Sequence, residues 1–217
     1  MIYIVGSTPH KDAKQIKIIK IVLKELNIDC SKYEALVLTS KNAVASLEKS
    51  KISWQHLPCY VIGKGTKEAV LNAGGKIAHM AKEAYGETLA KEVAPLLKGK
   101  KTLLVRPKEV VTDVSGYLKK HDVLVDDFVG YETCCNFNEN TTLPKDGSIL
   151  IFTSPSAVEC FFKNIKWNEN WRVISIGRKT AQVLPKNVPH LMPKYQSVDE
   201  CVKLAFKINE NLSKDIL

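Results

Sequence analysis

No apolar run in this chain of 217 residues approaches the roughly 20 residues that cross a bilayer. The start, Met1-Ile2-Tyr3-Ile4-Val5-Gly6, looks like a strand and lacks the basic lead and longer apolar core of a signal peptide. The expected location is therefore cytoplasmic, with no membrane partner. Neither G-x-x-x-x-G-K-[ST] nor G-x-G-x-x-G occurs, so Gly63-Lys64-Gly65-Thr66 lacks the spacing of a phosphate loop and a nucleotide-binding enzyme is disfavoured. Six cysteines are present, but none forms C-x-x-C and no histidine stands at metal spacing from them. The expectation is no metal site and six reduced, structural thiols. Aromatic residues are 7% of the chain, and no aromatic-basic nucleic-acid motif is seen. No nucleophile–base pair stands out.

What is present is ordinary globular composition, 45% hydrophobic and 25% charged, enough for one large domain or two small ones. The net charge is +9. A basic excess suggests an anionic partner, and composition alone leaves nucleic acid, acidic membrane and a polyanionic small molecule open. The lysines are scattered, as solvated surface charge would be.

The strongest signal is a repeat. Leu36-Val37-Leu38-Thr39-Ser40-Lys41-Asn42-Ala43-Val44 is matched by Leu150-Ile151-Phe152-Thr153-Ser154-Pro155-Ser156-Ala157-Val158. Ile62-Gly63-Lys64-Gly65-Thr66 is matched by Ile176-Gly177-Arg178-Lys179-Thr180. Both pairs stand 114 residues apart (39 to 153, 63 to 177), and one register without a gap argues for internal duplication. In each copy an apolar run ends in Thr-Ser, a preferred helix N-cap, and a second run ends in Gly. Strand ends that deliver helix N-termini put free N–H donors on one sheet edge, where an anion binds. Capping alone explains any one of these residues; the set is more telling.

Strands are expected near residues 2–5, 36–38, 60–62, 76–79, 102–105, 123–128, 149–152, 173–176 and 190–192. Helices are expected near 11–26, 41–49, 66–72, 86–97, 112–120, 156–163, 180–184 and 198–211. The first helix rests on Ile16, Ile19, Leu23 and Leu26 at helical spacing. Alternation of this kind means α/β architecture with parallel sheets. The second copy ends before it supplies an equivalent of Thr102–Val105. The unassigned N-terminal strand resembles that piece, Ile2-Tyr3-Ile4-Val5 against Thr102-Leu103-Leu104-Val105. The expected fold is two similar parallel-sheet α/β domains joined by a two-strand connection, the N-terminal segment folding with the C-terminal half. The expected boundaries are 1–28 with 136–217, then 33–129, with 29–32 and 130–135 as connections. The cleft beside such a double connection is the default ligand site.

The stretch Tyr33–Val44 resembles the most recognisable motif of the uroporphyrinogen-III synthase family, the cyclising enzymes of tetrapyrrole biosynthesis. So, in the family's order, do Ile62–Thr66, Leu103-Leu104-Val105-Arg106-Pro107, Val129-Gly130-Tyr131-Glu132-Thr133, Phe152–Val158 and Ile176–Thr180. Each piece is weakly specific; the ordered set is not. Two departures stand out. The family's first strand usually ends in Arg-Pro where this one ends Gly6-Ser7-Thr8-Pro9, and the connection before Thr39-Ser40 is short.

The resemblance implies a polycarboxylate substrate, hydroxymethylbilane, closed with loss of water and inversion of the terminal ring. It implies no cofactor, no nucleic acid and a monomer, with the preceding pathway enzyme as a partner. It implies Tyr131 as the acid that assists hydroxyl departure, since a phenol stays protonated at neutral pH. Ser40, Gly63, Thr66, Arg106, Ser154, Ser156, Gly177, Arg178 and Thr180 become substrate-binding candidates, with Lys64 and Lys179 beside them. The competing class is a non-catalytic two-lobed binding protein for a small anion.

Overall fold

The structure, a computed structural model, describes residues 1–214. The chain divides into two compact units, Met1–Lys20 with Cys134–Leu217, and Ile21–Thr133. Among the described residues no helix is long and apolar enough to cross a membrane.

The middle unit carries β3 (Ile19–Leu23), β4 (Ala35–Leu38), β5 (Pro58–Val61), β6 (Lys76–Met80), β7 (Lys101–Pro107) and β8 (Leu124–Cys135). They form one sheet in the order β3-β8-β7-β4-β5-β6, with β8, β7, β4, β5 and β6 parallel. Successive side chains on a strand point to opposite faces, and the core divides accordingly. Leu36, Leu38, Val61 and Val105 pack on one face with Ala43, Val44 and Leu47 of α1 (Lys41–Lys49) and Val70 of α2 (Lys64–Asn72). Ala35, Val37 and Leu104 pack on the other with Leu89, Val93 and Leu97 of α3 (Gly86–Leu97) and Leu118 of α4 (Val114–Lys119). A sheet covered on both faces explains the unbroken apolar run at 35–38.

The other unit orders its strands β11-β10-β9-β1-β2, all parallel. These are β1 (Ile2–Val5), β2 (Lys14–Ile16), β9 (Ile149–Phe152), β10 (Arg172–Ser175) and β11 (His190–Leu191). Tyr3, Val5, Leu150 and Phe152 meet Val158 and Phe161 of α5 (Pro155–Asn164) on one face. Ile2, Ile4, Ile149 and Ile174 meet Cys201, Val202 and Ala205 of α7 (Val198–Lys214) on the other.

The duplication survives in the backbone. Ile149–Phe152, Pro155 and Arg172–Ser175 are the positions of Ala35–Leu38, Lys41 and Pro58–Val61 moved by the same 114 residues. In one copy Leu38 pairs with Val105; in the other Phe152 pairs with Val5. The N-terminal strand therefore fills the place that β7 holds in the middle unit, as the truncated second copy requires. The second repeated helix is shorter: α6 (Arg178–Ala181) has four residues against nine in α2. Pro185, which cannot continue a helix, follows closely.

Three expectations are corrected. Residues 11–26 are not a helix but carry β2 and β3. Ile16 and Ile18 are fully buried on either side of exposed Lys17, a spacing of two. The β-branched run of Ile16, Ile18, Ile19, Ile21 and Val22 favours the pleated conformation over the helix that the wider spacing suggested. Residues 21–28, expected with the N-terminal segment, belong to the middle unit, where Ile21, Leu23, Leu26 and Ile28 pack against its core. Finally, not all six cysteines are free: Cys135 and Cys160 are disulfide-bonded, with Cα atoms 5.5 Å apart. The adjacency of Cys134 and Cys135 argued against a bond between those two and said nothing of a partner on α5.

Candidate active site

In each unit the candidate residues collect at the carboxyl ends of parallel strands, the edge where open α/β sheets bind ligands. Leu38 is in register with Val61 and Val105, which brings Ser40, Gly63 and Arg106 to one edge of the middle unit. Phe152 is in register with Ser175, which brings Ser154, Ser156 and Gly177 to one edge of the other.

Ser40 is the N-cap of α1, with φ −165 and ψ 149, and its Oγ accepts from Asn42 N at 3.1 Å. Ser154 is the N-cap of α5, with φ −163 and ψ 157, and its Oγ accepts from Ala157 N at 3.3 Å. The Ser154 and Ser156 hydroxyls are 3.2 Å apart. Gly63 and Gly177 cap α2 and α6 in extended backbone, φ 177 and −176, which any residue adopts. What favours glycine at 63 is space, since a Cβ there would stand 3.2 Å from the Ala84 Cβ. Thr66 and Thr180 are buried in the first turns of α2 and α6. Lys64 and Arg178 are exposed and Lys179 is half-buried, in the same first turns.

Arg106 is engaged within the unit. Its Nε lies 3.2 Å from Asp127 Oδ2, and its Nη1 donates to the Pro107 carbonyl at 3.0 Å. Burial raises the Asp127 carboxyl, but the Arg106 guanidinium, together with Ser115 and the charge of Lys119, holds it below the usual carboxylate range.

Tyr131 lies on β8, only 6% exposed, against the core that Leu38 and Val105 share. It lines a cavity of about 460 Å³ together with Thr39, Arg106, Lys108, Asp127 and Val114. Burial pushes its phenol above the ordinary value, and a side-chain hydrogen bond with Ser40 pulls it part of the way back. Its backbone is held on both sides. The Gly130 carbonyl accepts from Ser46 Oγ at 2.6 Å and from Lys24 N at 2.7 Å. The Tyr131 carbonyl accepts from Lys108 N at 2.8 Å. Glu132 pairs with Lys24 at 2.7 Å and with Lys108 at 3.5 Å. The Lys24 hydrogen bond is the main reason its carboxyl is lowered.

The sequence reading misses Ser46, Lys24, Lys108 and Asp127. Ser46 sits on the buried face of α1, a polar residue in an apolar stripe, and nothing in its spacing names Gly130 as its partner. Glu132 adjoins Tyr131 in the recognised motif and was within reach.

Comparison with known proteins now bears on this geometry. The family model described as uroporphyrinogen-III synthase HemD matches residues 6–203. No curated protein matches the chain. The crystal structure of uroporphyrinogen-III synthetase from Helicobacter pylori 26695 superposes with a TM-score of 0.81 at 28% identity, over 95% of this chain and 98% of that one. A mutant uroporphyrinogen III synthase from the extreme thermophile Thermus thermophilus superposes with a TM-score of 0.62 at 12% identity, over 98% of both chains, and shares the fold. With nine-tenths of its length matched to one family and its repeated edges built alike, the chain belongs to the uroporphyrinogen-III synthase family.

Proposed function

We propose that Tyr131 supplies the proton in the reaction this chain catalyses. The chain cyclises linear hydroxymethylbilane to uroporphyrinogen III, inverting the terminal pyrrole and releasing water, in tetrapyrrole (haem) biosynthesis. It is a lyase, and the non-catalytic anion-binding alternative is not favoured.

The chemistry divides into two tasks. The terminal hydroxyl leaves as water once it takes a proton, and the azafulvene left behind is attacked by the far pyrrole through a spiro intermediate. Without guidance the chain closes with no inversion, so the protein must hold the spiro-forming geometry. Positioning of that kind lowers a barrier without a reactive side chain. The observation that carries the acid role is the place of Tyr131. Its ring is buried, yet it lines a cavity at the carboxyl edge of the sheet beside Arg106. Burial keeps the phenol protonated at neutral pH, as a proton donor requires. The phenol gives its proton to the departing hydroxyl. The proton released as the closing pyrrole regains aromaticity restores it, so the phenol ends unchanged.

The substrate's acetates and propionates call for positive potential and N–H donors. The net charge of +9 and the N-termini of α1, α2 and α5 supply both. In this reading Ser40, Gly63, Thr66 and Arg106 are the substrate-binding residues of one unit, and Ser154, Ser156, Gly177, Arg178 and Thr180 those of the other. The same reading makes the protein a cytoplasmic monomer that takes its substrate from the preceding enzyme. The test is turnover of freshly made hydroxymethylbilane, read as the ratio of inverted to uninverted product. An excess of the inverted isomer is expected; the ratio seen without protein would overturn the reading.

A further inference from the structure

The chain passes between its two units twice, after Lys20 and before Cys134. Within one unit, both crossings are fastened at the same place on α5. Cys135 ends β8 and is disulfide-bonded to Cys160 of α5. The Ile18 carbonyl, just before the other crossing, lies 3.0 Å from Cys160 Sγ and accepts from Asn136 N at 2.7 Å. Asn136 Nδ2 also donates to the Lys17 carbonyl at 3.1 Å. Asn164, one turn along α5, donates from Nδ2 to the Cys160 carbonyl at 2.7 Å and to Cys135 Sγ at 3.3 Å.

The two bonded sulfurs differ in access. Cys160 is 5% exposed, whereas Cys135 is an exposed residue at the end of its strand. A small thiolate can therefore reach Cys135 Sγ with the fold intact. It bonds to that sulfur as the bond to Cys160 breaks, and Cys160 leaves as a thiolate that takes up a proton. Once protonated, Cys160 has an acceptor in the Ile18 carbonyl. A second small thiolate then attacks the small thiol's sulfur in the mixed disulfide. Cys135 is released as a thiolate within reach of the Asn164 donor. The protein disulfide becomes two thiols while two small thiols become one small disulfide. Run backwards, the small disulfide closes the bond again.

The other cysteines are poor competitors. Cys30, Cys59 and Cys201 are buried, and burial pushes their thiols up, those of Cys59 and Cys201 to about 12. Thiols held protonated are weak nucleophiles. Cys134 adjoins Cys135 on β8, and neighbouring strand residues face opposite ways.

We propose that Cys135–Cys160 is a reversible redox site that exchanges with a small thiol and its disulfide, fastening the end of β8 to α5 when oxidised and releasing it when reduced. The bond enters the second turn of the helix whose start carries Ser154 and Ser156. It involves neither Tyr131 nor the chemistry at the strand ends.

The test uses the whole protein in buffers of reduced and oxidised glutathione. After quenching, free thiols are alkylated in denaturant and located by peptide mass. Cys135 and Cys160 should lose and regain their labels together, while Cys30, Cys59 and Cys201 are labelled throughout. Reduction of the native protein should be first order in glutathione, because attack on an exposed sulfur is the slow step. A rate independent of glutathione would mean that the bond is reached only by unfolding, and would overturn the proposal. So would free thiols at Cys135 and Cys160 at every ratio of the two glutathiones. Cys160→Ser should trap one glutathione on Cys135, and Cys135→Ser should leave Cys160 at least about tenfold slower to react.

Reduction should also speed proteolytic cutting in the exposed stretch after Cys135 and lower the thermal midpoint by at least about 2 °C. Oxidised glutathione should reverse both changes. Cys135→Ser, at an exposed position, should behave as the reduced parent in either buffer, and Cys134→Ser as the parent. Cutting and melting that ignore the redox state would overturn the fastening role. None of these readouts uses turnover, so they leave the reading of Tyr131 untouched.

Discussion

Ser46 Oγ stands 2.6 Å from the Gly130 carbonyl and 3.0 Å from that of Lys24, and it is fully buried. One hydroxyl on α1 thus ties the residue before Tyr131 to the chain that follows β3. Gly130 permits the approach: a Cβ there would lie 2.6 Å from Val105 Cγ1 and 3.2 Å from Ser46 Cβ.

Gly130→Ala should therefore be more harmful than a single methyl suggests. Overpacking of a filled core costs about 1–3 kcal/mol. The neighbour at 2.6 Å is a β-branched side chain on a central strand, which has little room to turn. The urea midpoint should fall with the slope unchanged. An unshifted midpoint would mean that Val105 and α1 yield more easily than their burial implies.

The Arg106–Asp127 pair gives a pH dependence with a definite sign. The folded Asp127 carboxyl is held below its unfolded value, so the pair contributes stability above the unfolded pKa, near 4 for an ordinary Asp. That contribution is lost as pH falls through the lower, folded value. Asp127→Asn should thus be less stable than the parent at neutral pH, and the gap should close as the solution is acidified below about pH 4. Parallel stability curves down to that pH would show that the pair contributes nothing measurable.

The legible part of this molecule is what repeats. Ser40 and Ser154, Gly63 and Gly177, and Thr66 and Thr180 were readable as helix starts because Thr-Ser and Gly before an apolar periodicity are local signals, and one register confirmed them together. The match of Ile2–Val5 to Thr102–Val105 was readable for the same reason, as a missing strand. The run from Lys14 to Leu23 was not: Ile16, Ile19 and Leu23 fit a helix while Ile16 and Ile18 fit a strand. The decision falls to the neighbours, β1 on one side of β2 and β8 beside β3. The partners of Tyr131 were out of reach because Ser46, Lys24 and Lys108 are brought together across strands remote in sequence. The partner of Arg106 was equally out of reach, since Asp127 is brought beside it by the pairing of β7 with β8.

If fixed positive potential helps hold the tetrapyrrole's carboxylates, KM for hydroxymethylbilane should rise with salt. Screening acts within about 10 Å at 0.1 M, so exposed Lys64 and Arg178 should lose most of their pull. Donors built into the helix starts, such as the N–H groups behind Gly63 and Ser154, act at contact distance and should be spared. A salt-independent KM would assign binding to those donors and to shape.

Tyr131→Phe separates chemistry from packing. The variant loses one oxygen and keeps the ring that packs beside Leu38 and Val105, so the fold should survive. The rate should fall. The phenol proton is needed mainly in the transition state, so kcat should drop by between about 10- and 10⁴-fold while KM stays near its parent value. The product should still be the inverted isomer, because the spiro geometry is set by how the substrate is held and not by who protonates its hydroxyl. A folded variant that turns over near-normally would leave positioning alone to account for catalysis. A loss of thermal stability on the scale of the loss in rate would make Tyr131 a core residue whose ring, more than its oxygen, matters.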